Sequence, residues 1–177
     1  MNMEIVIVGS LHPTIIEYLT HLISKRFNVM IQRRASVPIN AFEEDKSRGQ
    51  YLSRDILEVL AHMRNTNNDA LLGVAAVDLY APSFNFVFGQ ADPVSMVAVY
   101  SVNRLRPSFY GLRDDVRVLH LRAGKEAVHE LGHLFRLRHC VNPRCVMFFS
   151  SSLADTDLKE DEFCDRCRKR LGENMRL

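Results

Sequence analysis

Residues 5–8, Ile-Val-Ile-Val, form an unbroken β-branched apolar run closed by Gly9, which predicts a buried strand over residues 4–9. Pro13 then opens a helix over residues 13–25, whose Ile15, Ile16, Leu19, Leu22 and Ile23 recur at helical spacing as one apolar stripe. Residues 27–31 give a second strand, and strand, helix, strand in this order predicts a parallel pair joined by a crossover. Residues 38–50 are polar and are expected to be irregular. Ser53 is placed to cap a helix over residues 53–64 that buries Ile56, Leu57, Leu60 and Met63, with a turn at 65–69. Three further strands are predicted over residues 71–79, 84–88 and 96–102. Pro82 and Ser83 would make the first two an antiparallel hairpin, and residues 89–93 would separate the last two. Residues 105–113 read as a loop. Residues 114–135 read as the longest helix, broken or restarted near Gly124. Beyond it periodicity fades, apart from a short helix at 159–171.

The resulting expectation is an α+β fold, α/β/α-like, with a mixed, mostly parallel sheet of about five strands and one antiparallel edge. The chain of 177 residues suits a single domain, 1–135 forming the sheet and the long helix and 136–177 an irregular C-terminal segment. Its 47% hydrophobic and 25% charged content is that of a soluble globular chain, and a net charge of +2 is too mild for a nucleic-acid face. No stretch is apolar for the roughly 18–20 residues a membrane span needs. The start carries Glu4 where a signal peptide would be basic, so the expected location is cytoplasmic. A monomer with no membrane or nucleic-acid partner follows as the default.

The chemistry concentrates in residues 129–140, HELGHLFRLRHC. His129 and His133 stand four residues apart, so on a helix both imidazoles project from one face and can reach one ion. Glu130 lies one position round, placed to touch a water on that ion without ligating it. His139 would be displaced by about 15 Å on a continuous helix, whereas a zinc–nitrogen bond is about 2 Å. For His139 to join, the helix must stop soon after His133 and the chain must fold back. The turning position is Arg136, where the left-handed backbone favours glycine and a Cβ costs on the order of 1–2 kcal/mol.

Cys140 and Cys145 form one pair and Cys164 and Cys167, a CxxC, another. In a reducing compartment two such pairs suit a closed four-sulfur zinc site that orders a segment poor in regular structure. The same residues also suit a redox CxxC, two disulfides, or inert buried thiols.

With these residues in order, the chain resembles the archaemetzincins, a branch of the metzincin zinc metallopeptidases whose pattern is HExxHxxGxxHC followed by a second cysteine, a methionine and a distal CxxC. His129, Glu130, His133, His139, Cys140, Cys145, Met147, Cys164 and Cys167 supply it in sequence, with Arg136 at the glycine. The stretches DLYAPSFNFVFGQAD from Asp78, SVNRL from Ser101 and LADTDLK from Leu153 extend the likeness over most of the chain. The resemblance implies two Zn2+ per chain. His129, His133 and His139 would bind the catalytic ion, the four cysteines the structural one, and Met147 would floor the site. Glu130 would act as base on a zinc-bound water that attacks a peptide bond. The substrate, a peptide or protein, would lie extended along the edge strand, placed at residues 84–88. Phe148 and Phe149 stand where some metzincins carry a tyrosine. Two alternatives stand beside this: a zinc-bound protein made inactive by Arg136, and a four-cysteine docking module. His12, His21, His62 and His120 read as surface or packing residues, and Arg104 and Arg106 as solvated or as contacts for a substrate carboxylate.

Overall fold

In the computed structural model, which describes residues 2–33, 36–64 and 70–175, the β-branched runs become neighbouring strands of one sheet. In chain order the elements are β1 (Asn2–Val8), α1 (Pro13–Phe27), β2 (Met30–Arg33), β3 (Glu44–Asp45), β4 (Gln50–Leu52), α2 (Ser53–Met63), β5 (Ala70–Ala75), β6 (Leu79–Tyr80), β7 (Gly89–Asp92), β8 (Val97–Ser101), α3 (Val116–Leu134), α4 (Leu153–Leu158) and α5 (Asp165–Asn174). The main sheet runs β2-β1-β5-β8-β7, all parallel except β7, which pairs antiparallel with β8 at the edge. The expected mostly parallel sheet of five strands with one antiparallel edge is the observed one.

Side chains alternate across this sheet, as a pleated strand requires. Ile5, Leu72, Val74, Ala98 and Tyr100 face α1 and α3 in one apolar layer, while Val6, Leu71, Val97 and Val99 face Ile56, Leu57 and Leu60 of α2 in the other. The layer under α1 and α3 continues into the C-terminal segment through Val146, Met147, Phe163 and Leu171. Phe27 of α1 meets Phe135 and Phe163 at centroid distances of 5.7 Å each, so the segment is packed onto the fold rather than draped over it.

Several boundaries differ from the sequence reading. The antiparallel edge is Gly89–Asp92, not residues 84–88, and β5 ends at Ala75, so no hairpin forms through Pro82 and Ser83. Residues 84–87 are held from outside the ladder instead, while the Phe88 carbonyl accepts from Ser101 N–H of β8 at 2.8 Å. Arg48 donates to the carbonyls of Phe84 and Asn85, and the Val87 N–H donates to Leu79. Residues 38–50 are not wholly irregular, because β3, β4 and β6 make a small second sheet. Ser53 does not cap α2; its hydroxyl bonds Tyr80 O and Gln90 Oε1, tying α2 to the edge strand. Helix α3 is unbroken at Gly124, whose missing Cβ lets Leu22 and Tyr18 of α1 lie against its backbone. The last helix begins at Asp165 rather than 159, and α4, closed by a Ser152–Asp155 capping box, was not expected. Strand β2 starts later and α1 ends later than read. The turn at 65–69 lies outside the described residues. Among the described residues no helix is long and apolar enough to cross a membrane.

Candidate active site

Helix α3 enters the molecule with Asp115 capping its first N–H groups and ends beside the edge strand with His129, Glu130 and His133. The helix stops in a Schellman geometry, with Arg136 N–H bonded to His133 O at 2.9 Å and Leu137 N–H to Gly132 O at 3.1 Å. Arg136 takes the left-handed conformation at φ 60°, as the turn demands, and the buried Leu137 anchors the returning chain. His139 is thereby brought back to the other two imidazoles.

The three Nε2 atoms converge: His133 lies 3.0 Å from His129 and 3.2 Å from His139. These are not hydrogen bonds between neutral rings. A carbonyl can only accept, so Nδ1 of His129, 2.8 Å from Val146 O, and Nδ1 of His133, 2.7 Å from Leu137 O, each carry the ring proton. Both Nε2 lone pairs then point at one another. Burial keeps the rings neutral, depressing all three pKa values, and for His129 the Lys159 charge adds to it. A cation resolves the clash, since tetrahedral zinc with bonds of about 2.0–2.1 Å requires nitrogens about 3.3 Å apart. The donor set fits the metal.

Glu130 is buried beside this triad, its carboxyl pushed up to about 8 by burial, with Glu126 adding to the shift and Lys159 opposing it. Its position depends on Gly89 at the start of β7, a residue the sequence reading passed over. A Cβ built there would lie 2.5 Å from Glu130 Oε1 and 2.7 Å from its Cδ, so the carboxylate rests where only a glycine backbone leaves room. Gly132 has a matching part. A Cβ there would collide with Met147 Sδ, and this fully buried methionine is held against the helix between the two histidines. Behind Glu130, Lys159 and Glu126 form a buried ion pair at 3.0 Å, and Thr156 donates its hydroxyl to the same carboxylate at 3.0 Å. Among the described residues Lys159 Nζ meets no acceptor in hydrogen-bond geometry, so the contact is ionic rather than directional.

The four cysteines also converge. All four Sγ atoms lie within 4.8 Å of one another, Cys140 and Cys164 at 3.8 Å, the separation of about 3.8 Å that four zinc–sulfur bonds of about 2.3 Å impose. Disulfide sulfurs would be about 2 Å apart. Burial pushes Cys140 up, but hydrogen bonds from the Asn142 backbone, Arg166, Cys167 and Cys164 outweigh it and leave the thiol at about 7. Cys145 and Cys167 are raised, by burial first. Such a cluster cannot ionise fully without a cation. The Cys140 N–H bonds Met147 O at 2.8 Å, so this cluster, the methionine turn and His139 share one piece of backbone.

A cleft of about 930 Å³ opens over the triad. One wall comes from residues 84–94 and is mainly apolar, with Phe84, Phe86, Phe88 and Val94; Phe149, 4.9 Å from the His139 ring, also lines the cleft. Arg104 is neither solvated nor free for substrate. It forks onto Asp78 through two bonds of 2.8 Å and lies over Phe86 at 4.2 Å. The other histidines take structural places: His12 caps α1, His62 bonds Glu58 O, and His120 stacks on Tyr18, while His21 is exposed.

Residues 9–173 match peptidase family M54. The chain belongs to this family, the archaemetzincins. It is 41% identical to the archaemetzincin of Pyrococcus furiosus over 97% of its own length and 92% of that protein. To the archaemetzincin of Methanocaldococcus jannaschii it is 44% identical, over 94% and 90%. The crystal structure of archaemetzincin from Methanopyrus kandleri superposes with a TM-score of 0.85 at 37% identity, covering 100% of this chain and 96% of that one. As an archaemetzincin the chain is a zinc metallopeptidase with a three-histidine group and a four-cysteine group able to hold metal. The reading of an inactive protein distorted by Arg136 finds no support, because the arginine adopts the turn and the three imidazoles meet.

Proposed function

We propose that His129, His133 and His139 hold a catalytic zinc, that Cys140, Cys145, Cys164 and Cys167 hold a structural one, and that Glu130 is the general base of peptide-bond hydrolysis. The observation that carries the first assignment is the pair of Nδ1–carbonyl bonds, which fixes the tautomers and leaves the Nε2 lone pairs facing a common point. When bound there, zinc supplies a Lewis acid that polarises a carbonyl and lowers the pKa of water. Glu130, its carboxylate lodged against Gly89 and its pKa raised to about 8, takes a proton from the attacking water and passes it to the leaving nitrogen. Met147 packs beneath the histidines without donating to them.

The peptide lies extended along β7, whose outer edge has no neighbouring strand among the described residues, with side chains against the aromatic wall. The whole chain then acts as one catalytic domain. The substrate is a peptide or protein, and the mild net charge of +2 speaks against a nucleic-acid partner. A peptide-library cleavage assay with Glu130→Ala as control tests the mechanism. The variant is expected to keep its zinc and to lose about 10²–10⁴-fold in kcat, the worth of a positioned base. Cleavage that survives the substitution at full rate defeats it.

A further inference from the structure

The charged groups of the cleft are unevenly placed. Asp92, the one charged residue of the 84–94 wall, is not among the residues lining the cleft and accepts from Val94 N–H and the Ser95 hydroxyl, and Glu126 and Glu130 are buried at the back. The exposed charges lining it are Arg136 and Arg138, on the returning segment between His133 and His139. Several other arginines are spent on carboxylates: Arg26 on Asp161 and Glu162, Arg104 on Asp78, Arg122 on Asp157 and Arg144 on Glu160. Among the described residues no carboxylate pairs with Arg136 or Arg138. Their backbone is nonetheless held in place. Leu137 between them is buried, and its carbonyl accepts from His133 Nδ1, so the two flanking side chains leave a fixed backbone. Arg136 also occupies a left-handed position where glycine would sit without strain. Strain kept at a site lining the cleft points to a use for the side chain.

We propose that Arg136 and Arg138 form an anion subsite of the cleft that selects peptides carrying a carboxylate on this side, with a bulky apolar residue against the opposite wall. The inference rests on the reading of the cleft as the peptide site. Guanidinium pairs are suited to the task because their planar fork meets a carboxylate through two donors. The shared chemistry is the carboxylate; an internal Glu or Asp and a free C-terminus are its two sources.

The test is binding of fluorescent peptides to the zinc-loaded Glu130→Ala protein, which separates affinity from turnover. Matched peptides carry an internal Glu or Gln, each ending in a free acid or an amide. At least one carboxylate form is expected to bind roughly tenfold more tightly than the neutral peptide, with the ratio falling as salt rises. Arg136→Gly and Arg138→Gln should each cut the ratio by about threefold, and the double variant should abolish it. The Glu–Gln comparison and the acid–amide comparison show which source is read. Equal binding of all four peptides, binding of none, or a preference that persists in the double variant overturns the proposal. Wild-type cleavage of the same set keeps the two readings apart. Cleavage without acid preference removes the subsite and leaves the peptidase mechanism, whereas cleavage that survives in Glu130→Ala with the preference intact does the reverse.

Discussion

At residue scale, the site depends on two backbone positions with opposite solutions. At Gly89 the chain omits a Cβ, and the space is filled by the Glu130 carboxylate. Gly89→Ala is therefore expected to displace the base while leaving the histidines untouched. A shift on the order of 1 Å at a reacting group costs roughly 10²-fold in rate. The expected result is a fall of that size in kcat with zinc content unchanged by metal analysis; wild-type kcat in this variant would show that the carboxylate relaxes freely. At Arg136 the chain keeps a Cβ where φ is 60°. Arg136→Gly removes about 1–2 kcal/mol of strain and adds about 0.5–1 kcal/mol of unfolded-chain entropy. The net expectation is a gain of about 0.5–1 kcal/mol in denaturant unfolding. A loss would mean that the side chain makes contacts worth more than its strain.

At the scale of elements, α3 carries the site and α4 braces it from behind through Lys159, Glu126 and Thr156. Lys159→Met would leave the Glu126 carboxylate buried without its cation, which costs about 3–5 kcal/mol, and a second change, Glu126→Gln, should recover most of it. Additive losses in the double variant would argue against coupling. Sequence periodicity reaches helices such as α3 and buried strands such as β5 because their side chains are chosen by the layers they fill. It fails at the edge. Phe84, Phe86 and Phe88 alternate like a strand, yet Arg48 and Leu79 take up backbone groups there and Arg104 claims the Phe86 ring. Gly-Gln-Ala-Asp has little strand propensity, yet it pairs with β8 and sets Gly89 against Glu130. The zinc-type spacings were legible because ligands are few and chemically distinct. The Val146 and Leu137 carbonyls that orient the histidines leave no mark in the side-chain sequence, since any residue supplies a carbonyl.

At the scale of the whole molecule, the C-terminal segment contributes half of the active site without belonging to the sheet. It brings Leu137 O, His139, Val146 O and Met147 to α3, and Arg26 ties it to α1 through Asp161 at 2.8 Å and Glu162 at 2.7 Å. Its own short helices cannot fix His139, which is exposed and whose neighbour Cys140 belongs to the four-sulfur cluster. The two metal groups should then be coupled, with the cysteine cluster the one that keeps the segment folded. A mild chelator should empty the three-histidine site first, because it opens to the cleft, and leave the segment folded. Removing metal from the four cysteines should release residues 136–175 to protease while the sheet persists, and zinc should then fail to return to the histidines at its former affinity. Cys164→Ser should reproduce that state without chelator. Metal analysis, thiol titration and limited proteolysis on the same samples decide the matter. Two zinc ions with four protected thiols are expected at the start. Four thiols that titrate freely while the histidine site keeps its full affinity would show that the cysteine cluster does not hold the catalytic turn.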